Sequence, residues 1–159
     1  MKTLITYYSY TGITEKVAGI FAKVLERKSS VLSQRLKPKK EITSFARQCI
    51  AARFGKRCEL EEGIVFDIAE YDLLVIGLPV WAFAPAPAIN TFLDKLSGLN
   101  GKKAIILITS GSGAGVNTCF KTVRKVLEDK GALSIKEINI PNARMKDVDS
   151  IILSFGETI

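Results

Sequence analysis

Two short runs free of charge, Leu73 to Leu78 and Ala104 to Thr109, constrain the fold of this chain most tightly. A run of about six apolar residues without polar alternation reads as a strand covered on both faces. Between them Ile89, Phe92, Leu93 and Leu96 recur at helical spacing. The alternation extends to both ends. Thr3 to Tyr8 reads as a first strand, followed by a helix from about Ile13 with Val17, Ile20, Phe21, Val24 and Leu25 on one face. Ser30 to Leu36 reads as a second strand. Beyond Gly115 a helix carries Val116, Phe120, Val123 and Leu127 and stops at Gly131. Leu133 to Ile140 is a fifth strand, and Val148, Ile151, Ile152 and Phe155 mark a short last helix.

Strands alternating with helices predict an α/β fold, a three-layer doubly wound parallel sheet of five strands. The strands with polar residues inside them, the second (Gln34, Arg35) and the fifth (Lys136, Glu137), belong at the edges. The order 2-1-3-4-5 puts them there. With 159 residues the chain is expected to be a single domain, 1–159. One segment is anomalous. Lys37 to Tyr71 is too long for a simple crossover, and it holds a candidate amphipathic helix (Ile42, Phe45, Ala46, Cys49, Ile50) and an acidic stretch from Glu59 to Glu62.

Composition removes several kinds of chemistry. The chain has no histidine, so a Ser-His-Asp or Cys-His nucleophile and any His-ligated metal are excluded. Cys49, Cys58 and Cys119 are too few and too scattered for a disulfide framework or a CxxC site, which suits reduced thiols in a cytoplasmic protein. The apolar start breaks at Tyr7, Tyr8 and Ser9, unlike a secretory signal. Leu73 to Leu93 is uncharged but holds Pro79, Pro85 and Pro87, which a membrane-spanning helix would not carry. Neither a membrane nor a nucleic acid is an expected partner. The net charge of +7 is concentrated between Arg35 and Arg57, where eight basic residues face one acid, Glu41. The rest of the chain has fifteen charges of each sign, a neutral body with one basic segment.

In a sheet of this order ligands bind beyond the carboxyl ends of the strands, where the order reverses. Three loops meet that edge. After the first strand, Ser9-Tyr10-Thr11-Gly12-Ile13-Thr14 runs into a helix, offering hydroxyls, helix-terminal N–H groups and a glycine to a phosphate without any Lys or Arg. After the third, Pro79-Val80-Trp81-Ala82-Phe83 places the only tryptophan and a phenylalanine in a proline-stiffened loop that can stack on a flat ring; the alternative is Trp81 packed as core. After the fourth, Thr109-Ser110-Gly111-Ser112-Gly113 is a small-residue loop suited to a ring edge. It fails as a dinucleotide fingerprint because Val116 stands at the third glycine position, and no GxxxxGK[ST] occurs.

These residues carry a resemblance. Ser9-x-Thr11-Gly12-x-Thr14 resembles the phosphate loop of the flavodoxin-like family, and Gly77-x-Pro79-Val80-Trp81 with Ala88-x-x-Thr91-Phe92-Leu93 is similar to its third-strand loop and helix. The resemblance implies non-covalent FMN. Ser9 to Thr14 would hold its phosphate, Pro79 to Phe83 would line the isoalloxazine with Trp81 or Phe83 at a ring face, and Thr109 to Gly113 would wrap the other side. A cofactor that carries the redox chemistry agrees with the missing histidine.

The chain departs from flavodoxins proper in three respects. It is basic, with a pI near 9.4, whereas those carriers are usually acidic. The loop after the fourth strand lacks a second aromatic. No glycine lies between Gly77 and Gly98, so the peptide flip that favours the one-electron-reduced flavin would strain a non-glycine residue, and little of that form is expected. The resemblance implies an electron carrier between redox partners, with a small NAD(P)H-dependent FMN or quinone oxidoreductase as the alternative. Lys37, Lys39 and Lys40 leave the second strand at the ligand edge, and the basic segment is the expected docking site for an acidic partner such as a ferredoxin or a reductase, or for NADPH.

Overall fold

A computed structural model describes residues 1–40 and 43–156, so Glu41 and Ile42 lie outside the described residues. The elements are β1 (Lys2–Tyr7), α1 (Ile13–Leu25), β2 (Ser30–Arg35), α2 (Phe45–Arg53), β3 (Leu73–Trp81) and β4 (Ala84–Pro85). They continue with α3 (Pro87–Lys95), β5 (Lys103–Ser110), α4 (Val116–Asp129), β6 (Ser134–Pro141), a 3₁₀ segment (Asn142–Asp147) and α5 (Val148–Gly156). The five long strands are parallel in the order β2-β1-β3-β5-β6, and the two-residue β4 folds back antiparallel on β3. Counting the parallel strands alone, this is the expected 2-1-3-4-5 sheet.

Why β3 and β5 read as unbroken apolar runs is visible in the packing. Leu74, Ile76 and Leu78 with Ile106 and Ile108 face one layer, where Phe92 of α3 and Val123 of α4 pack. Their neighbours Val75, Ile105 and Leu107 face the other, against Val17 and Phe21 of α1 and Ile152 of α5. Strand side chains alternate in direction, so each residue of a central strand serves one core. Phe21 and Phe92 are fully buried on opposite sides, and truncating either to Ala should cost about 3–5 kcal/mol.

Both polar strands are edges, as expected, and β2 uses its polarity. The Gln34 amide donates from Nε2 to the Val65 carbonyl (2.9 Å) and accepts at Oε1 from the Val65 N–H (2.9 Å). It thereby fastens the crossover to the sheet edge. At the other end Thr91 of α3 accepts from the Cys58 N–H (3.0 Å) and donates to the Cys58 carbonyl (2.7 Å). The segment from Lys37 to Tyr71 is thus tied to the sheet edge and to α3, with an isolated bridge inside it between Pro38 and Leu60 and another from Asp67 to Ser97.

Two expectations need correction. The crossover helix exists, but its apolar face does not point inward. Gln48 and Ala52 are buried and Cys49 is half-buried against the core, whereas Phe45, Ala46 and Ile50 are exposed. The Ser44 hydroxyl accepts from the Arg47 N–H and sets the helix start. The buried Tyr8 hydroxyl donates to Gln48 Oε1 (3.3 Å), so a polar contact and not the hydrophobic stripe turns this face to the core. Secondly, Pro79 to Trp81 is no loop. The strand runs on to Trp81, turns in two residues, and pairs Trp81 with Ala84 and Val80 with Pro85.

Candidate functional site

A cleft of about 330 Å³ opens at the carboxyl ends of β1, β3 and β5. Its volume is at the lower end of the range for small-molecule sites. All three loops read from the sequence reach it. The first contributes Tyr10, Thr11, Ile13 and Thr14, the second Pro79, Val80 and Trp81, the third Thr109 to Ser112. Ser9, Gly12, Ala82, Phe83 and Gly113 do not line it. Three residues join that no sequence motif pointed to: Phe45 from the start of α2, Ala114, and Asn142 from the 3₁₀ segment after β6.

Ser9 and Gly12 act from behind. The Ser9 hydroxyl accepts from the Gly12 N–H (3.1 Å), closing the turn that aims the loop. Gly12 caps α1 with φ +86°, and open space surrounds the position of its missing Cβ. Glycine is therefore needed there for its left-handed backbone conformation, and the space beside it is clear of other protein atoms. No side chain caps α1. The first N–H groups of a helix have no partner within it and carry a partial positive charge, so this terminus suits an anion. Behind the loop Arg35 donates to the Ser9 carbonyl (3.0 Å) and pairs with Glu15 (2.9 Å). The guanidinium balances the one carboxylate of the first helical turn. Burial, then Glu15, pushes the Tyr7 phenol above its ordinary value.

Thr14 and Thr109 join the first and third loops through a buried hydroxyl–hydroxyl bond of 2.8 Å. A Cβ on Gly77 would lie 3.0 Å from the Tyr7 Cβ and 3.4 Å from the Thr14 methyl, so the glycine of the third-strand motif lets α1 sit close over β1 and β3.

Trp81 is only 5% exposed and also lines the cleft, so core residue and wall residue are one and the same. Tyr8, Tyr10 and Phe45 meet its ring edge-on, with centroids 5.4, 5.6 and 5.8 Å away. Tyr10 in turn stacks on Phe45 (6.0 Å, 29°). Phe83 does not face the cleft. It is half exposed and lies over Gly115, where a Cβ would come within 2.7 Å of the Phe83 Cα.

The turn between β3 and β4 also alters the reasoning about strain. Ala82 and Phe83 both have positive φ, +45° and +70°. Left-handed backbone at two successive residues matches the right-handed twist of a hairpin. The strain that the sequence assigned to a later flip is already present in the folded turn. The expectation that little one-electron-reduced flavin accumulates thereby loses its physical reason.

The match to the Flavodoxin family model covers residues 2–148. The chain belongs to the flavodoxin family. Among solved structures, a protein from Bacteroides uniformis named a flavoprotein is 25% identical, with a TM-score of 0.74 over 95% of this chain and 97% of that one. Flavodoxin 2 from Bacillus cereus is 17% identical, with a TM-score of 0.64 over the whole of both chains. An azoreductase from Bacillus anthracis is also 17% identical, with a TM-score of 0.58 over 99% of this chain and 96% of that one. The last two likenesses are of fold. Among the described residues no helix is long and apolar enough to cross a membrane, and no cluster of His, Cys, Asp and Glu could hold a metal ion.

Proposed function

We propose that this protein binds FMN without a covalent link and carries electrons between redox partners. Thr11, Thr14 and the α1 N-terminus would hold the phosphate on a turn built by Ser9 and Gly12. Pro79 to Trp81 and Thr109 to Ser112 would flank the ring, and Phe45 with Tyr10 would close one side. The lining suits such a cofactor chemically, since it combines the hydroxyls of Thr11, Thr14, Thr109, Ser110 and Ser112 with the flat apolar surface of Trp81, Phe45 and Tyr10.

The observation that carries the reading is the lining itself. Among the described residues, no carboxylate, amine, guanidinium or thiol lines the cleft, and Tyr10 supplies its one ionisable side chain. Acid–base conversion of a substrate has few groups to work with here. A flavin brings its own redox chemistry and asks the protein for binding, orientation and exclusion of water. The basic segment supports a second reading, a small oxidoreductase drawing on NAD(P)H and reducing a quinone or a flavin.

Titration of the apoprotein with FMN tests the first step. Thr11→Ala/Thr14→Ala removes two hydroxyl partners of a dianion, each worth about 1.5–3 kcal/mol, so affinity should fall more than tenfold. No binding to wild type, or no loss in the double variant, refutes the assignment. Oxidation of NAD(P)H by the loaded protein at catalytic rates would favour the second reading.

A further inference from the structure

The outward face of α2 is unusual in composition. Helical spacing brings Ala46, Arg47, Ile50, Arg53 and Phe54 to the side opposite the buried Gln48 and Ala52. Ile50 is 58% exposed and Phe54, at the helix end, 72%. The helix contains no acidic residue. Phe45, at the start of the helix, is 53% exposed while also lining the cleft, so the N-terminal end of α2 reaches the rim of the site.

The charges of the basic segment divide unequally. Arg35 pairs with Glu15 and Arg57 with Asp94. The bridge at Pro38 and Leu60, with the Glu61 N–H on the Lys37 carbonyl and the Lys39 N–H on the Glu59 carbonyl, sets Lys37 opposite Glu61 and Lys39 opposite Glu59. Residues opposite each other on paired strands are close enough to offset charge. The acidic stretch read from the sequence has folded back onto the lysines. Arg47, Arg53 and Lys56 are exposed and, among the described residues, have no carboxylate in ion-pair range. Positive charge without an ion-pair partner among the described residues therefore sits on α2 and just after it, around Ile50 and Phe54, and at Lys40.

We infer that the outward face of α2 is the docking surface for an acidic redox protein, with Ile50 and Phe54 as the apolar centre and Arg47, Arg53 and Lys56 as the charged surround. The inference rests on the electron-transfer reading and names the partner class and the place. An apolar centre inside a charged rim is how interfaces divide affinity from steering. Complementary charge selects a partner whose own face carries carboxylates. Docking there brings the partner against Phe45 and Tyr10 at the cleft, and one electron leaves the partner as one enters the loaded protein.

The probe is an acidic [2Fe–2S] ferredoxin, chemically reduced and mixed with FMN-loaded protein at low and high salt. Arg47→Glu/Arg53→Glu should slow transfer at least tenfold at low salt and by less than twofold at 0.5 M salt, because steering of this kind is screened. Lys37→Glu/Lys39→Glu, whose residues stand opposite Glu61 and Glu59 across the bridge, should change it less than threefold. Ile50→Ser/Phe54→Ser should slow transfer at both salt concentrations. A second readout needs no flavin: on adding the oxidised ferredoxin to the ¹⁵N-labelled chain, amide signals of residues 45–57 should shift more than those of β6 and α5. Amide shifts without electron transfer would sink the electron-transfer reading and leave the surface standing. Transfer that ignores both α2 variants, with shifts elsewhere, overturns the inference. So does slowing confined to NADPH oxidation, or a dimer of this chain that Ile50→Ser/Phe54→Ser disperses.

Discussion

Replacing Ala82 by glycine should stabilise this protein, although glycine usually weakens a strand. Ala82 sits at φ +45°, where an L-residue brings its Cβ against the neighbouring carbonyl at about 1–2 kcal/mol. Glycine removes that cost but gives the unfolded chain more freedom, which takes back about 0.4–1 kcal/mol. The difference is a net gain of about 0.5–1 kcal/mol. For a chain of this length it corresponds to about 1–4 °C in Tm. Ala82 is the informative position because only a methyl group is lost. At Phe83 the same change would also remove the ring that covers Gly115.

The measurement is urea and thermal unfolding of the apoprotein, followed by far-UV circular dichroism. Ala84→Gly is the control, since Ala84 lies in β4 of the same hairpin and is not among the residues with positive φ. It should destabilise by about 0.5–1 kcal/mol, the ordinary cost of glycine in extended backbone. If Ala82→Gly is destabilising to the same degree as the control, the left-handed turn is not the resting conformation. The account of strain at the rim of the cleft then fails with it.

Trp81 should lose most of its fluorescence when FMN fills the cleft, because it is the only tryptophan and forms part of the wall; unchanged emission at saturation would move the ligand elsewhere. Cys119 is buried and its thiol is pushed up to about 12 by desolvation, so iodoacetamide at pH 8 should leave it unlabelled in the folded protein, as read by mass spectrometry. The same shift has a consequence for stability. Above pH 9, near the thiol's ordinary value, the unfolded chain ionises while the folded one does not, so stability should decline from there towards about 12. Cys119→Ser should make that decline shallower in high-pH unfolding curves, leaving the part due to Tyr7, Cys49 and Cys58, whose values burial also raises.

Much of the fold was legible because β3 and β5 have a single role. Buried on both faces, they can be neither amphipathic nor polar, and few other structures tolerate such short apolar runs. Gln34 and Lys136 marked the sheet edges for the complementary reason. The turn at Ala82 and Phe83 was hidden because neither residue belongs to the Gly, Asn and Asp set that announces left-handed backbone. Tertiary packing holds it instead: Phe83 closes over Gly115, itself at φ +79° and intolerant of any side chain there. Asn142 was out of reach for another reason, since it arrives from beyond β6, outside the three loops that the strand order singles out.

The rotation of α2 shows why a periodic pattern fixes a face but not its direction. Phe45, Ala46 and Ile50 make a plausible inward stripe, and burying Phe45 and Ile50 would normally favour that arrangement by about 1.5–3 kcal/mol each. Their exposure means that the crossover gives up this stabilisation, while Gln48 inside takes a hydrogen bond from Tyr8 and Ala52 fills little space. Apolar side chains left outside a fold at that cost are unfavourable in water unless another surface covers them. The same helix turns Arg47 and Arg53 outward, and charged rims keep an uncovered patch soluble until its partner arrives. Exposure and charge on α2 are thus two aspects of one arrangement: a surface poorly suited to the isolated chain and well suited to an acidic partner beside the cleft.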